Sequence, residues 1–229
     1  ALAAVPAVLG HHRHCGGPPD RNPVVCRVIA ALGIFFASFE TGGARLRELM
    51  PTVVLAALAA AGRIVFAAVP SMKPVSAIAI IAGVVLGRRS GFMVGALAAL
   101  ASNFFFGQGP WTPWQMYAWG LVGWAPAPSR KRASLAAPGR FRQPVRTAPR
   151  GGHRMSSVYG FVSSVAYGWI LNAWTVLGFL HAHTTFQVLT VYAASLPFDI
   201  AHGVATVGFC SRLGTGQRKL ARVLKSYAA

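Results

Sequence analysis

The sequence predicts an all-α fold, an integral membrane bundle of six transmembrane helices with short outer loops and basic inner loops. Three observations carry this reading. Hydrophobic residues fill 54% of the 229 positions and charged residues only 11%, whereas an ordinary soluble domain has about 25% charged residues. All but Arg63 of the 22 Lys and Arg residues, set against four acids, lie between the long apolar runs and not on them. Prolines and glycines break those runs at intervals that suit membrane helices. A formal charge of +18 would suit a nucleic-acid partner if it formed one patch on a folded domain. Its confinement to the connecting segments excludes nucleic acid and leaves the lipid bilayer as the surrounding medium.

The first span begins at Val53 and reads VVLAALAAAGRIVFAAV to Val69, long enough at about 1.5 Å per residue to cross most of a hydrocarbon core of about 30 Å. Pro70 and Pro74 enclose a turn, because neither can continue a helix. A second run covers Val75 to Gly87 and ends at Arg88-Arg89-Ser90. A third covers Gly91 to Phe106 and ends at Gly107-Gln108-Gly109-Pro110. Both are short, so they need tilt, local thinning or neighbouring protein. The fourth starts near Trp114 and stops at Trp124, before Pro126 and Pro128. The fifth runs from Ser156 to Leu180 and the sixth from Phe186 to Cys210.

The chain therefore divides into residues 1–40, 41–124 (helices one to four), 125–155, 156–211 (helices five and six) and a basic, helix-compatible tail at 212–229. Residues 125–154 hold eight Lys and Arg and no acid; they cannot bury a core and are expected to be disordered in isolation. In the first forty residues Val28 to Phe39 is apolar but short, as a remnant of an earlier span would be. The first residue is Ala and no signal peptide is legible, which is consistent with a start further upstream. HHRHCGG at 11–17 lacks a second cluster at ligand spacing, so it reads as a solvated tract and not a metal site. Residues 1–36 and 125–154 fit poorly beside the patterned helices, as shifted reading frames in a GC-rich gene would. Cys15, Cys26 and Cys210 are widely separated and form no CxxC pair, so isolated thiols are expected.

Charge sets the orientation. With entry from the cytoplasm, the inner segments 41–52, 88–90, 125–155 and 212–229 hold seventeen of the 22 basic residues, while the outer turns hold Lys73 alone. This asymmetry puts the C-terminus in the cytoplasm of a multi-pass protein.

Two groups of residues could carry function. The segment SNFFFGQGPWTPWQMYAWG, 102–120, combines Asn103, Gln108 and Gln115 with Trp111, Trp114 and Trp119 on backbone broken at the outer surface. Amides orient a polar ligand and indole faces stack on a flat one; an interfacial aromatic belt would explain the tryptophans but not the amides. Asn172 and Trp174 on the fifth helix complete the expected wall. The second group, Asp199 and His202, lies one turn apart on the sixth helix. Polar groups within a span are functional candidates, and a pair that fixes helix packing is the plainer alternative. Arg63 is costly within the first helix, and Asp199 is its one acidic candidate in the spans. Ala56/Ala60 and Ala57/Ala61 are small residues four apart, which lets another helix approach closely.

The runs VVLAALAAAGRIVFAAVPSMKPVSAIAIIAGVVLG, GFMVGALAALASNFFFGQGPWTPWQMYAWGLVG and YGFVSSVAYGWILNAWTVLGF, with YAASLPFDIAHG, resemble the S component of energy-coupling factor (ECF) transporters over about residues 38–124 and 156–210. The resemblance implies a six-helix substrate-binding subunit in the bacterial cytoplasmic membrane that captures a vitamin or similar micronutrient from outside. It implies no enzyme activity and no cofactor in this chain, since ATP is used by two ATPase subunits that join a membrane coupling subunit. It also implies that Ala56, Ala57, Ala60 and Ala61 meet the coupling subunit. The segment 125–154 departs from the short inner loop of such proteins. One outer cation and no outer acid suit a neutral or anionic ligand with a flat part, and a cobalamin-like or other vitamin is the class suggested. An intramembrane enzyme centred on Asp199 and His202, and a structural membrane protein, are the alternatives.

Overall fold

The computed structural model describes residues 29–30, 32–34, 36–37, 46–125, 152–180 and 184–228. The tract 11–17 and the segment 126–151 lie outside them. Among the described residues six α-helices follow in order: α1 Leu46–Val65, α2 Val75–Val85, α3 Arg88–Phe106, α4 Thr112–Trp124, α5 Gly152–Trp174 and α6 Thr185–Ala228. A π-helical turn, Thr175–Phe179, prolongs α5. The expected all-helical architecture is present. Two of these helices, α3 and the Thr185–Leu213 part of α6, have the length and apolarity to cross a membrane; α1 and α2 are shorter apolar helices.

Burial explains the short ones. Helix α2 has 11 residues and all but Val84 are buried, so it is surrounded by protein and need not meet lipid along its length. Helix α3 is also central. Helix α6 is peripheral, with only 17% of its apolar window buried, against 61% for α3. The core joins Val75, Ile78 and Ile80 of α2 to Val94 and Ala98 of α3, Ala118, Trp119 and Val122 of α4, and Tyr167 of α5. Leu32 and Phe36, from the N-terminal apolar stretch, pack on this bundle against Phe92 and Ala96.

Glycines bring the central helices into backbone contact. A Cβ on Gly91 would collide with the carbonyl oxygen of Gly123 and the backbone of Gly83, and one on Gly123 with the carbonyl of Gly91. Gly87, at φ 100°, makes the sharp turn between α2 and α3, a conformation open to glycine at little cost.

The connectivity gathers the C-terminal ends of α1, α3 and α5 with the N-terminal ends of α2, α4 and α6 at one end of the bundle, here termed the upper end. Arg88, over the Trp124 ring at 5.1 Å, marks the lower end. Helix α5 begins four residues before the expected start. Helix α6 passes through Pro197 and continues well beyond Cys210, so the basic tail is an extension of the sixth helix and not a separate segment.

Candidate functional site

The polar side chains expected to carry function collect in the upper half of the bundle interior, in two connected groups. The first centres on Arg63, buried in the last turn of α1. Its Nη1 donates to Ser102 Oγ at 2.6 Å and Asn103 Oδ1 at 2.8 Å. The guanidinium lies 4.7 Å from the Phe106 ring centroid and 4.8 Å from that of Trp119. The expected partner, Asp199, is not what holds it: two neutral oxygens and two aromatic faces compensate the buried cation.

Asn103 is the hub of this group. While its Oδ1 accepts from Arg63, its Nδ2 donates to Thr112 Oγ1 at 3.1 Å and Gln115 Oε1 at 2.8 Å. Thr112 Oγ1 donates to Gln108 Oε1 at 2.9 Å, and Gln108 Nε2 donates to the Leu100 carbonyl at 3.1 Å. Amides that a ligand could use are thus tying the broken 107–111 connection to α3 and α4. Asn103 has both ends of its amide occupied and is 1% exposed, so its role here is to hold the connection.

The second group lies between α2, α4, α5 and α6. Trp119 Nε1 donates to Ser76 Oγ at 3.2 Å, and Ser76 Oγ is 3.0 Å from His202 Nε2. Ser76 Oγ thus accepts from the indole and shares a second hydrogen bond with His202 Nε2, whose direction follows the imidazole tautomer. Tyr167 stacks on Trp119 with centroids 4.6 Å apart and meets the His202 ring edge-on at 5.3 Å. Asn172 Nδ2 donates to Ser195 Oγ at 2.5 Å, and Ser195 faces Asp199 Oδ2 at 3.3 Å. The Asp199 carboxylate lies against α5 where Gly168 has no side chain; a Cβ there would collide with it. Asp199 and His202 share a face as expected, but each turns to a different neighbour.

Trp114 and Trp174 meet at 6.2 Å with planes tilted by 42°, joining α4 to the top of α5. Two buried donors have no hydrogen-bond partner among the described residues: Trp114 Nε1, and Oη of Tyr167, whose ring lies between Trp119 and His202. Buried polar groups are nearly always satisfied, so this pair is the clearest mark of a place built for something else. Trp111, by contrast, sits at the rim, 36% exposed, with its ring over Gly109. Lys73, in the upper turn, feels both Arg63 and Asp199; burial, then Arg63, pull its ammonium down to about 8, with Asp199 opposing.

The structure therefore brings Trp114 against Trp174, ties Gln115 to Asn103 and Asn172 to Ser195, leaves Gln108 and Trp111 at the surface, and makes Asn103 a brace. Tyr167 and Ser76 lie against Trp119, the third tryptophan of the 102–120 segment, and neither was among the expected residues. Tyr167 carried a legible signal, a polar-tipped aromatic inside an apolar helix. Ser76 carried none, since its role depends on α4 and α6 arriving beside it. On α1, Ala56 and Ala60 are buried inside the bundle, while Ala57 and Ala61 face outwards with Val54 and Leu58.

The family model for the S component of ECF-type riboflavin transporters matches residues 45–142. Over these residues the chain is similar to an ECF S component. Such proteins are substrate-binding subunits of the bacterial cell membrane, not enzymes; they bind a small vitamin-type ligand and work with a membrane T component and ATPase subunits. The match covers α1 to α4 of the chain and runs on into the basic segment beyond Trp124. Helix α5 joins it by packing, through the Tyr159 hydroxyl on the Val122 carbonyl at 2.8 Å and the Trp114–Trp174 and Trp119–Tyr167 pairs, and α6 through His202 on Ser76. Neither a curated protein nor a solved structure matches the chain.

Proposed function

We propose that this S component captures a riboflavin-like ligand in the interior between α4, α5 and α6, with Trp114, Gln115, Tyr167, Asn172 and Trp174 as its contacts. The observation that carries the reading is the pair of buried, unpartnered donors, Trp114 Nε1 and Tyr167 Oη. Two donors beside flat aromatic faces suit a planar heterocycle with carbonyl or ring-nitrogen acceptors. The matched family carries riboflavin in its name, and that favours a flavin over the cobalamin-like ligand suggested by the aromatic segment alone.

Flavin fluorescence is the natural probe, because stacking on tryptophan quenches it. Titration of riboflavin into purified protein is expected to show saturable quenching. Trp114→Phe and Tyr167→Phe keep the rings and remove one donor each, so each should weaken binding by about 1–1.5 kcal/mol, roughly tenfold. Wild-type affinity in both variants would move the ligand elsewhere. Tighter binding of cobalamin than of riboflavin would reverse the choice of substrate.

In this reading the upper end faces outwards and the C-terminus lies in the cytoplasm, on the strength of the basic-residue asymmetry. A cysteine at Ser71 should react with an impermeant reagent in intact cells and one at Ser134 should not; the opposite pattern would invert the protein.

The outward row of α1 is the proposed contact for the membrane coupling subunit, whose two ATPase partners supply the energy; this chain uses no cofactor. Ala57 and Ala61 allow close helix approach, whereas Ala56 and Ala60 are already covered. Ala57→Leu with Ala61→Leu should abolish copurification with the coupling subunit while riboflavin affinity stays within about twofold, since the two surfaces are separate. Normal copurification of that double variant would remove this face from the interface.

A further inference from the structure

Helix α6 is much longer than a bilayer requires. Its 44 residues extend about 66 Å at 1.5 Å per residue, and a hydrocarbon core is only about 30 Å thick. The part with membrane-spanning character, Thr185–Leu213, ends where basic residues begin. Arg212, Arg218, Lys219, Arg222 and Lys225 follow, and no acid occurs after Asp199. The helix nevertheless continues to Ala228.

Helical register sorts these positions into two faces. At about 100° per residue, positions 218, 222 and 225 fall on one side, flanked by 219 and 212. Positions 213, 220, 224 and 227, which are Leu, Leu, Leu and Tyr, fall on the other. A helix with one cationic and one apolar face, and little apolar surplus, suits the plane of a membrane interface. Continued straight, the segment after Leu213 would carry its apolar row about 22 Å out into water. Gly214 and Gly216 stand at the junction, and glycine is the poorest helix former after proline. The rod is weakest where the apolar span ends.

We infer that residues 217–228 bind the anionic phospholipid headgroups of the leaflet from which α6 emerges, with the helix bent at Gly214–Gly216 and the Leu220–Leu224–Tyr227 row lying in the interface. Two features select this occupant over a protein. The segment leaves the membrane at headgroup level, so the lipid surface is present at high effective concentration without any partner. Its charge is of one sign throughout, and juxtamembrane clusters of Lys and Arg are drawn to anionic leaflets. The inference requires α6 to cross the bilayer; it does not depend on which ligand the upper interior takes.

The test uses the full-length protein, with Cys15, Cys26 and Cys210 replaced by alanine and an environment-sensitive fluorophore on Leu224→Cys. It is reconstituted in phosphatidylcholine vesicles with or without phosphatidylglycerol at roughly 30%. In anionic vesicles the probe should brighten roughly threefold and be quenched by spin-labelled lipid, as an interfacial position requires. Both effects should vanish in neutral vesicles, at about 0.5 M salt, and when Arg218, Lys219, Arg222 and Lys225 are changed together to Gln. The same probe on Lys225→Cys should remain open to aqueous quencher. Equal emission in both vesicle types, or a water-exposed probe in anionic vesicles, overturns the inference. Protection that arises only when the T component and ATPases are added overturns it too, in favour of a protein surface. Hydrogen exchange of the unmodified chain gives a second measurement: slower exchange at 217–228 in anionic than in neutral vesicles is expected, and no difference rejects the proposal.

Discussion

Asn103→Leu is expected to destabilise the protein by about 3–5 kcal/mol, the range for removing one partner of a buried charge. The side chain accepts from Arg63 and donates to both Thr112 and Gln115. Leucine has similar bulk and none of these groups. Arg63 keeps Ser102 but loses its second oxygen, and Gln115 Oε1 loses its donor at about 1–3 kcal/mol for a group left unsatisfied, while Thr112 Oγ1 keeps the Gly109 N–H. Unfolding in detergent, followed by loss of helical circular dichroism, measures the effect. Asn103→Asp supplies an acceptor to Arg63 without the donor, so it should recover part of the loss. A leucine variant of normal stability with weakened riboflavin binding would instead restore Asn103 to the list of ligand contacts.

The second large effect is expected where α3 crosses α4. Gly91→Ala and Gly123→Ala each place a methyl group against the facing backbone. Overpacking a core typically costs 1–3 kcal/mol, and a rigid backbone neighbour puts this site near about 3 kcal/mol. Both variants open the same contact, so the double variant should lose less than the sum. Gly208→Ala provides the contrast: a Cβ there meets nothing within 4 Å, and alanine favours the helix, so stability should rise by up to about 1 kcal/mol. Equal losses at all three positions would mean that helix crossing distance does not limit this bundle.

The helices were legible because the chain punctuates them strongly. Pro70, Pro74, Gly87 and Gly107–Pro110 stand at boundaries the structure also uses, and the division of Leu46–Trp124 into four helices follows from them. The extension of α6 was harder to read, because Pro197 and the glycines at 214 and 216 suggest interruption, while continuous packing against α5 overrides local preference at Pro197. Site residues divided according to how far their role depends on distant partners. Trp114 and Trp174 could be picked out as aromatic anchors, and they do meet. Asn103 looked like a ligand contact because an amide beside tryptophans is chemically suited to one; only the arrival of Arg63, forty positions earlier, shows its hydrogen-bonding capacity already spent. The alanine rows posed a similar problem. Ala56/Ala60 and Ala57/Ala61 are identical in sequence pattern, and only the placement of α2 and α3 decides which row faces inwards.

The burial of α2 bears on how the protein is made. An 11-residue helix is too short to be accepted by the bilayer as an independent span, however apolar it is, so the insertion machinery cannot commit it to the membrane alone. The tight turn at Gly87 couples it to α3, which is long enough. The pair must therefore enter as a hairpin, and α2 reaches its settled depth only after α3 and α4 have closed around it. Until then its isoleucines, buried in the finished bundle, lack their protein neighbours.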